Sequence, residues 1–161
     1  MKTYSCNIKV KVLLIILTAV AVLSAFIHSS MPGNVSEDES GSVLLLLQRI
    51  IDFLGINVEI TEYAVRKTAH FCEYTVIGAM MMSCAFSFNK LKPYKYSINL
   101  MFCGLLTAVC DETIQLGVDG RAGMVTDVLL DFSGVIFGML IMLAVFLIYG
   151  KRFRSKNKEK E

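Results

Sequence analysis

Four apolar blocks, each close to the length of a bilayer crossing and joined by short polar connections, constrain this chain more than any motif in it. Residues 12–27 are sixteen in a row without a charge, and further blocks run over about 68–88, 97–118 and 125–149. At ~1.5 Å of rise per residue, the last three are long enough to cross a hydrocarbon core of ~30 Å with some tilt. The chain is 55% hydrophobic and 19% charged, against about 45–50% and about 25% for a soluble domain. Too few polar residues remain to clothe a water-facing surface, which excludes disorder, a repeat solenoid and a disulfide scaffold. The expected fold is all-α: one polytopic membrane domain over 1–161, a small bundle of about four transmembrane helices plus a short interfacial helix, with a basic tail at 150–161. No nucleic-acid partner is expected, and the net charge of +2 matters less than where the positive residues lie.

Lys2, Lys9 and Lys11 precede the first block, Lys90, Lys92 and Lys95 separate the second from the third, and Lys151, Arg152, Arg154, Lys156, Lys158 and Lys160 follow the fourth. With four spans these segments share one side, and the positive-inside rule makes it cytoplasmic. The expectation is a multi-pass protein of the cell membrane with both termini inside. The first block has the basic start and apolar core of a secretory signal. It is slightly long for one, and no clean small-x-small site follows, so a retained helix is expected. Within the outer loop, 43–54 sets apolar residues at 43, 46, 47, 50, 53 and 54, a helical period too short to span. A Pro32-Gly33-Asn34 turn is expected before it. The five cysteines have neither disulfide nor zinc spacing and, with the nine methionines, are expected to serve as packing residues.

Charged side chains inside a span cost about 2.5–3.5 kcal/mol each at a helix centre, so each needs a reason. The second span starts with Arg66 and Lys67 and carries His70, Glu73 and Tyr74 at offsets of three and four, which share one stripe. The third carries Asp111, Glu112 and Gln115, and the fourth begins with Asp127 and Asp131 after a turn holding Arg121. In the four-span topology all of these fall near the outer ends of their helices. Three separate regions therefore converge on one shallow, outward-opening polar site. Three fixed cations, Arg66, Lys67 and Arg121, face five acids, Glu73, Asp111, Glu112, Asp127 and Asp131, leaving −2 with His70 neutral. A cation bridging carboxylates, or shared protons, would balance that surplus. Ion pairs that merely join helices are the plainer alternative, and Gly134 with Gly138 forms a small-xxx-small face suited to close packing.

Three motifs, Arg66-Lys67-x-x-His70-x-x-Glu73-Tyr74, Asp111-Glu112-x-x-Gln115 and Gly120-Arg121-x-Gly123-x-x-x-Asp127-x-x-x-Asp131-x-x-Gly134-x-x-x-Gly138, occur in the order in which they stand in the VanZ-like family of bacterial membrane proteins. The resemblance covers about 60–140, and the first span with its loop fits it too. The family often carries asparagine where Asp131 stands, with aspartate in a subset. It is named for a protein that lowers susceptibility to the glycopeptide teicoplanin, whose target is the outward-facing, lipid-linked peptidoglycan precursor.

The expected activity is a cell-envelope one: the polar site binds or modifies a polar-headed membrane lipid or a lipid-linked wall intermediate. His70 is the candidate general base, with Glu73 tuning it. Arg66, Lys67, Tyr74, Gln115 and Arg121 are candidate substrate-binding residues, the arginines for phosphate. Asp111, Glu112, Asp127 and Asp131 are candidate ligands for a hard divalent cation such as magnesium, calcium or manganese. No serine or cysteine is placed as a nucleophile, so metal-bound water is the expected agent if chemistry occurs. A shielding module without turnover is the alternative reading. A cation- or proton-coupled transporter fits less well, because the inner halves of the spans carry no acid to continue a relay.

Overall fold

The computed structural model describes residues 5–55, 58–90 and 92–158. Five α-helices follow one another, with no strand among the described residues: α1 Ile8–Ser29, α2 Gly33–Phe53, α3 Glu62–Phe88, α4 Ser97–Gln115 and α5 Val125–Lys158. A single 3₁₀ turn, Pro93–Tyr96, leads into α4. Four helical stretches, Ile8–Ser29, Glu62–Phe88, Pro93–Gln115 and Val125–Tyr149, are long and apolar enough to cross a membrane. The all-helical, four-span expectation is met; α1, α3 and α5 run longer than their apolar blocks, whereas α4 stops at Gln115, short of 118. Helices start at caps and not where hydropathy rises: Asn7 accepts from Lys9 N–H at 3.1 Å, and Thr61 accepts from Ala64 N–H at 3.3 Å. Glu62 in the first turn of α3 complements the helix dipole. Lys2 and Lys160, part of the charge asymmetry, lie outside the described residues.

The loop helix needs correction. It begins at Gly33, with Pro32 as its cap, and not at residue 43 after a turn. No proline falls between Gly33 and Val43 to break a helix, so the segment that composition makes look loop-like continues it. Gly55, at φ +70, ends it in the left-handed conformation that glycine adopts without strain. Val43, Leu45, Leu46, Ile50, Phe53 and Leu54 remain exposed, as an interfacial helix requires. Gln48 ties the following strand of loop down, donating to the Val58 carbonyl at 3.1 Å and accepting from Ile60 N–H at 3.2 Å.

The bundle is organised around α3 and α5. Gly134 and Gly138 of α5 lie against the α3 backbone: a Cβ at Gly134 would come within 2.7 Å of the Phe71 carbonyl oxygen, and one at Gly138 would run into that of Thr75. Gly78 of α3 returns the contact, since a Cβ there would meet the Val135 carbonyl. Below this seam sits an apolar core of Tyr74, Ile77, Met81, Met82, Ala85, Ala108, Val135 and Met139, which α1 joins through Ala25. Met81 and Met82 pack as expected, but Cys72, Cys103 and Cys110 do not. All three point outward from the bundle, where a lipid-facing thiol needs no partner.

Candidate functional site

The antiparallel arrangement brings the end of α1, the start of α3, the end of α4 and the start of α5 to one end of the bundle, and the polar residues of all four meet there. His70, Asp111, Glu112, Gln115, Asp127 and Asp131 are all buried. A cavity of about 200 Å³ opens among them, lined by Arg66, Lys67, His70, Glu112, Gln115, Arg121, Asp127 and Asp131 together with Tyr63 and the backbone turn at 120–124. Gly120, at φ +77, makes that turn. A hydrogen bond from Met124 N–H to Glu112 Oε2, 3.0 Å, fixes it to α4. The Gly33 N–H donates to the Asp119 carbonyl at 3.0 Å, so α2 begins against the same turn.

The candidate residues sort into three groups. Lys67 forms an ion pair with Asp127 at the cavity wall and lies 5.2 Å from the centre of the Tyr63 ring. Glu112 holds the 120–124 turn, as described above. Deeper, Asp111 and Asp131 are 0% and 1% exposed and converge with His70, so that one ligand atom from each lies within 4.8 Å of the others. His70 Nδ1 is 3.8 Å from Asp131 Oδ1. The four carboxylates expected together as metal ligands are thus divided, with Asp111 and Asp131 joining the histidine and Glu112 and Asp127 occupied elsewhere. Arg66 lines the cavity, whereas Tyr74 is fully buried beneath it, one helical turn past His70, and does not line it.

Two residues that sequence reasoning passes over belong here. His28, at the end of α1, stacks on His70 with ring centres 6.0 Å apart. Its Nδ1 is 3.8 Å from Glu73 Oε2, so the acid expected to tune His70 also lies beside His28. Arg121 reaches back to the same residue, donating to the His28 carbonyl at 3.3 Å. Ser29 donates to Asp111 Oδ2 at 2.7 Å, and Gln115 donates to Ser29 Oγ and to the same Asp111 oxygen, each at 3.3 Å. The available signal was the His28-Ser29 pair itself, polar residues at the end of an otherwise apolar helix.

These features define a multi-pass helical membrane protein that encloses a charged site at one end of its bundle. The family model described as VanZ/LLP1 matches residues 13–148, and the chain belongs to that family. No curated protein and no solved structure matches it.

Proposed function

We propose that the cavity receives the phosphate-bearing head group of a membrane lipid or lipid-linked cell-wall intermediate in the outer leaflet, and that this binding lowers susceptibility to teicoplanin. The observation that carries this reading is the cavity lining, in which Arg66, Lys67 and Arg121 stand at one end of a bundle whose flanks are apolar. A guanidinium pair suits a phosphate group geometrically. The exposed apolar side chains around the rim, among them Val125, Leu129 and Leu116, suit an acyl or polyprenyl chain that stays in hydrocarbon while its head enters. The outward direction rests on the lysines and arginines at the opposite end of the bundle, which favour a cytoplasmic position for both termini.

Binding without turnover is the reading of this site that the lining favours. Among the described lining residues there is no serine, threonine or cysteine to serve as a nucleophile. His70 could still act as a base toward water. Mass spectrometry of lipid extracts from membranes with and without the protein separates the two, since turnover changes a head group and shielding does not. For the site itself, detergent-purified protein is expected to retain phosphatidylglycerol in native mass spectrometry. Arg121→Ala should cut that retention at least tenfold, whereas equal retention by the variant and the unaltered chain would overturn the reading. Reporter fusions after Glu39 and after Lys160 should register exterior and cytoplasm respectively.

A further inference from the structure

The floor of the cavity is built differently from its wall. Three carboxylate oxygens in the floor, Asp111 Oδ1 and both oxygens of Asp131, are buried with no hydrogen-bond donor, and the Tyr74 hydroxyl beneath them is buried without a partner as well. An unpaired buried carboxylate is costly even in a soluble protein, and more so in a bundle surrounded by hydrocarbon. Asp111 is nevertheless oriented with care, its other oxygen being held by Ser29 and Gln115. That arrangement leaves Oδ1 directed away from both donors. The His70 ring is held from its other side by His28.

From this juxtaposition we infer that His70, Asp111 and Asp131 form a binding site for one divalent transition-metal ion, zinc or manganese, at the base of the cavity. An ion about 2.0–2.2 Å from each ligand atom sets those atoms about 3–4 Å apart. The three ligand atoms lie within 4.8 Å of one another, so small side-chain rotations close the set. One imidazole with two carboxylates is a mixed nitrogen and oxygen donor set, which suits zinc or manganese better than magnesium or calcium, ions that prefer oxygen alone. The two negative charges of the aspartates match a 2+ ion. Ser29 and Gln115 then act as outer partners that orient a ligating carboxylate, a recurrent feature of metal centres.

His70 and Asp131 line the cavity while Asp111 lies behind them. The remaining coordination positions therefore open toward the cavity, where water or a phosphoryl oxygen would complete the sphere. The site is separate from the arginine and lysine wall, and its existence does not depend on a lipid being the ligand above it.

The test uses the full chain in detergent, stripped with a chelator and titrated with zinc, manganese and cobalt, with no lipid added. One ion per chain should bind at micromolar concentration and raise the thermal midpoint, and cobalt should give the visible absorption of a coordinated ion. Asp131→Ala and His70→Ala should each weaken binding at least tenfold, while Thr18→Val, midway along α1 and outside the cavity, should leave it within twofold. Absence of saturable binding of all three ions to the unaltered chain would overturn the inference whatever the variants do, as would binding indifferent to both floor substitutions. Arg121→Ala retains the metal under this scheme but loses the phospholipid, so failure here and failure of the head-group reading give different patterns.

Discussion

The α3–α5 pair and α1 are held in the bundle by different means. α3 and α5 meet along their length, backbone to backbone, through Gly78, Gly134 and Gly138. α1 shows most of its length outward, with Val12, Leu13, Ile15, Ile16, Val20 and Leu23 all exposed. Its contacts with the bundle gather at its two ends: at the last residues Ala25 enters the core and His28 and Ser29 enter the polar site, and at the start Cys6 N–H donates to the Ser87 carbonyl at 2.8 Å and Lys11 lies over the Phe88 ring. Lipid tails are as apolar as leucine, so exposed apolar side chains gain nothing by moving from lipid to protein. Close packing at small residues and hydrogen bonds between polar ones must do the joining instead. The seam uses the first means, and α1 depends mainly on the second. Structure and candidate function therefore overlap at α1 and are separate at the seam.

The largest effect is expected at Gly138. Leucine there would drive a branched side chain into the Thr75 carbonyl and the Ala79 amide, 2.8 Å from the position of the Cβ itself. Neither can yield without separating two helices, so the cost should be several kcal/mol, at the upper end for overpacking. Membrane abundance and the detergent melting temperature of Gly138→Leu should both collapse. A normal melting temperature would mean that the seam is loose and that the comparison with α1 has no basis.

The seam was legible in the sequence because it depends on spacing within one helix: Gly134 and Gly138, four apart, share a face whatever surrounds them. The same holds for the stripe of Lys67, His70 and Tyr74. What was not legible is the rotation of one helix against another. Asp111 and Glu112 are neighbours in the chain, yet about 100° of helical turn sends one to the floor and the other to the 120–124 turn. Shared depth in the membrane groups them in the sequence, where that divergence is not visible. His28 and Ser29 were missed for a related reason. Their partners lie 40 to 90 residues away, and no local period marks them. The length of α2 was hidden by composition, since Ser36, Glu37, Asp38 and Ser40 read as loop although no proline interrupts the helix that starts at Gly33.

A smaller effect is expected at Ser29, where the attachment of α1 is tested directly. Alanine removes the 2.7 Å donor to Asp111 and leaves that carboxylate with Gln115 alone. Loss of a hydrogen bond to a buried charged group costs about 1–3 kcal/mol, and the measured range for polar contacts within membranes, with a maximum near 1.7 kcal/mol, argues for the lower half. Ser29→Ala should accordingly lower the melting temperature by a few degrees and leave membrane abundance nearly unchanged. A loss as large as that of Gly138→Leu would mean that α1 is as integral as the seam.

The smallest effect is expected midway along α1, and it decides whether attachment really is confined to the two ends. Thr18 is the polar contact there, its hydroxyl 3.4 Å from Cys84 Sγ across the α1–α3 interface. That hydroxyl also donates to the Leu14 carbonyl of its own helix at 2.8 Å, which satisfies its one proton. The sulfur can then offer at most a weak S–H donation in return. Valine keeps the branched shape, and the Leu14 carbonyl it releases remains bonded within the helix, so the cost of Thr18→Val should stay below about 0.6 kcal/mol, the average for polar contacts in a membrane. Its melting temperature should fall within about a degree of the unaltered chain, and the double variant with Ser29→Ala should melt where Ser29→Ala alone does. A drop at Thr18 matching that at Ser29 would show that weak contacts along the whole face retain α1, and that His28 and Ser29 are free to serve the site without also holding the helix.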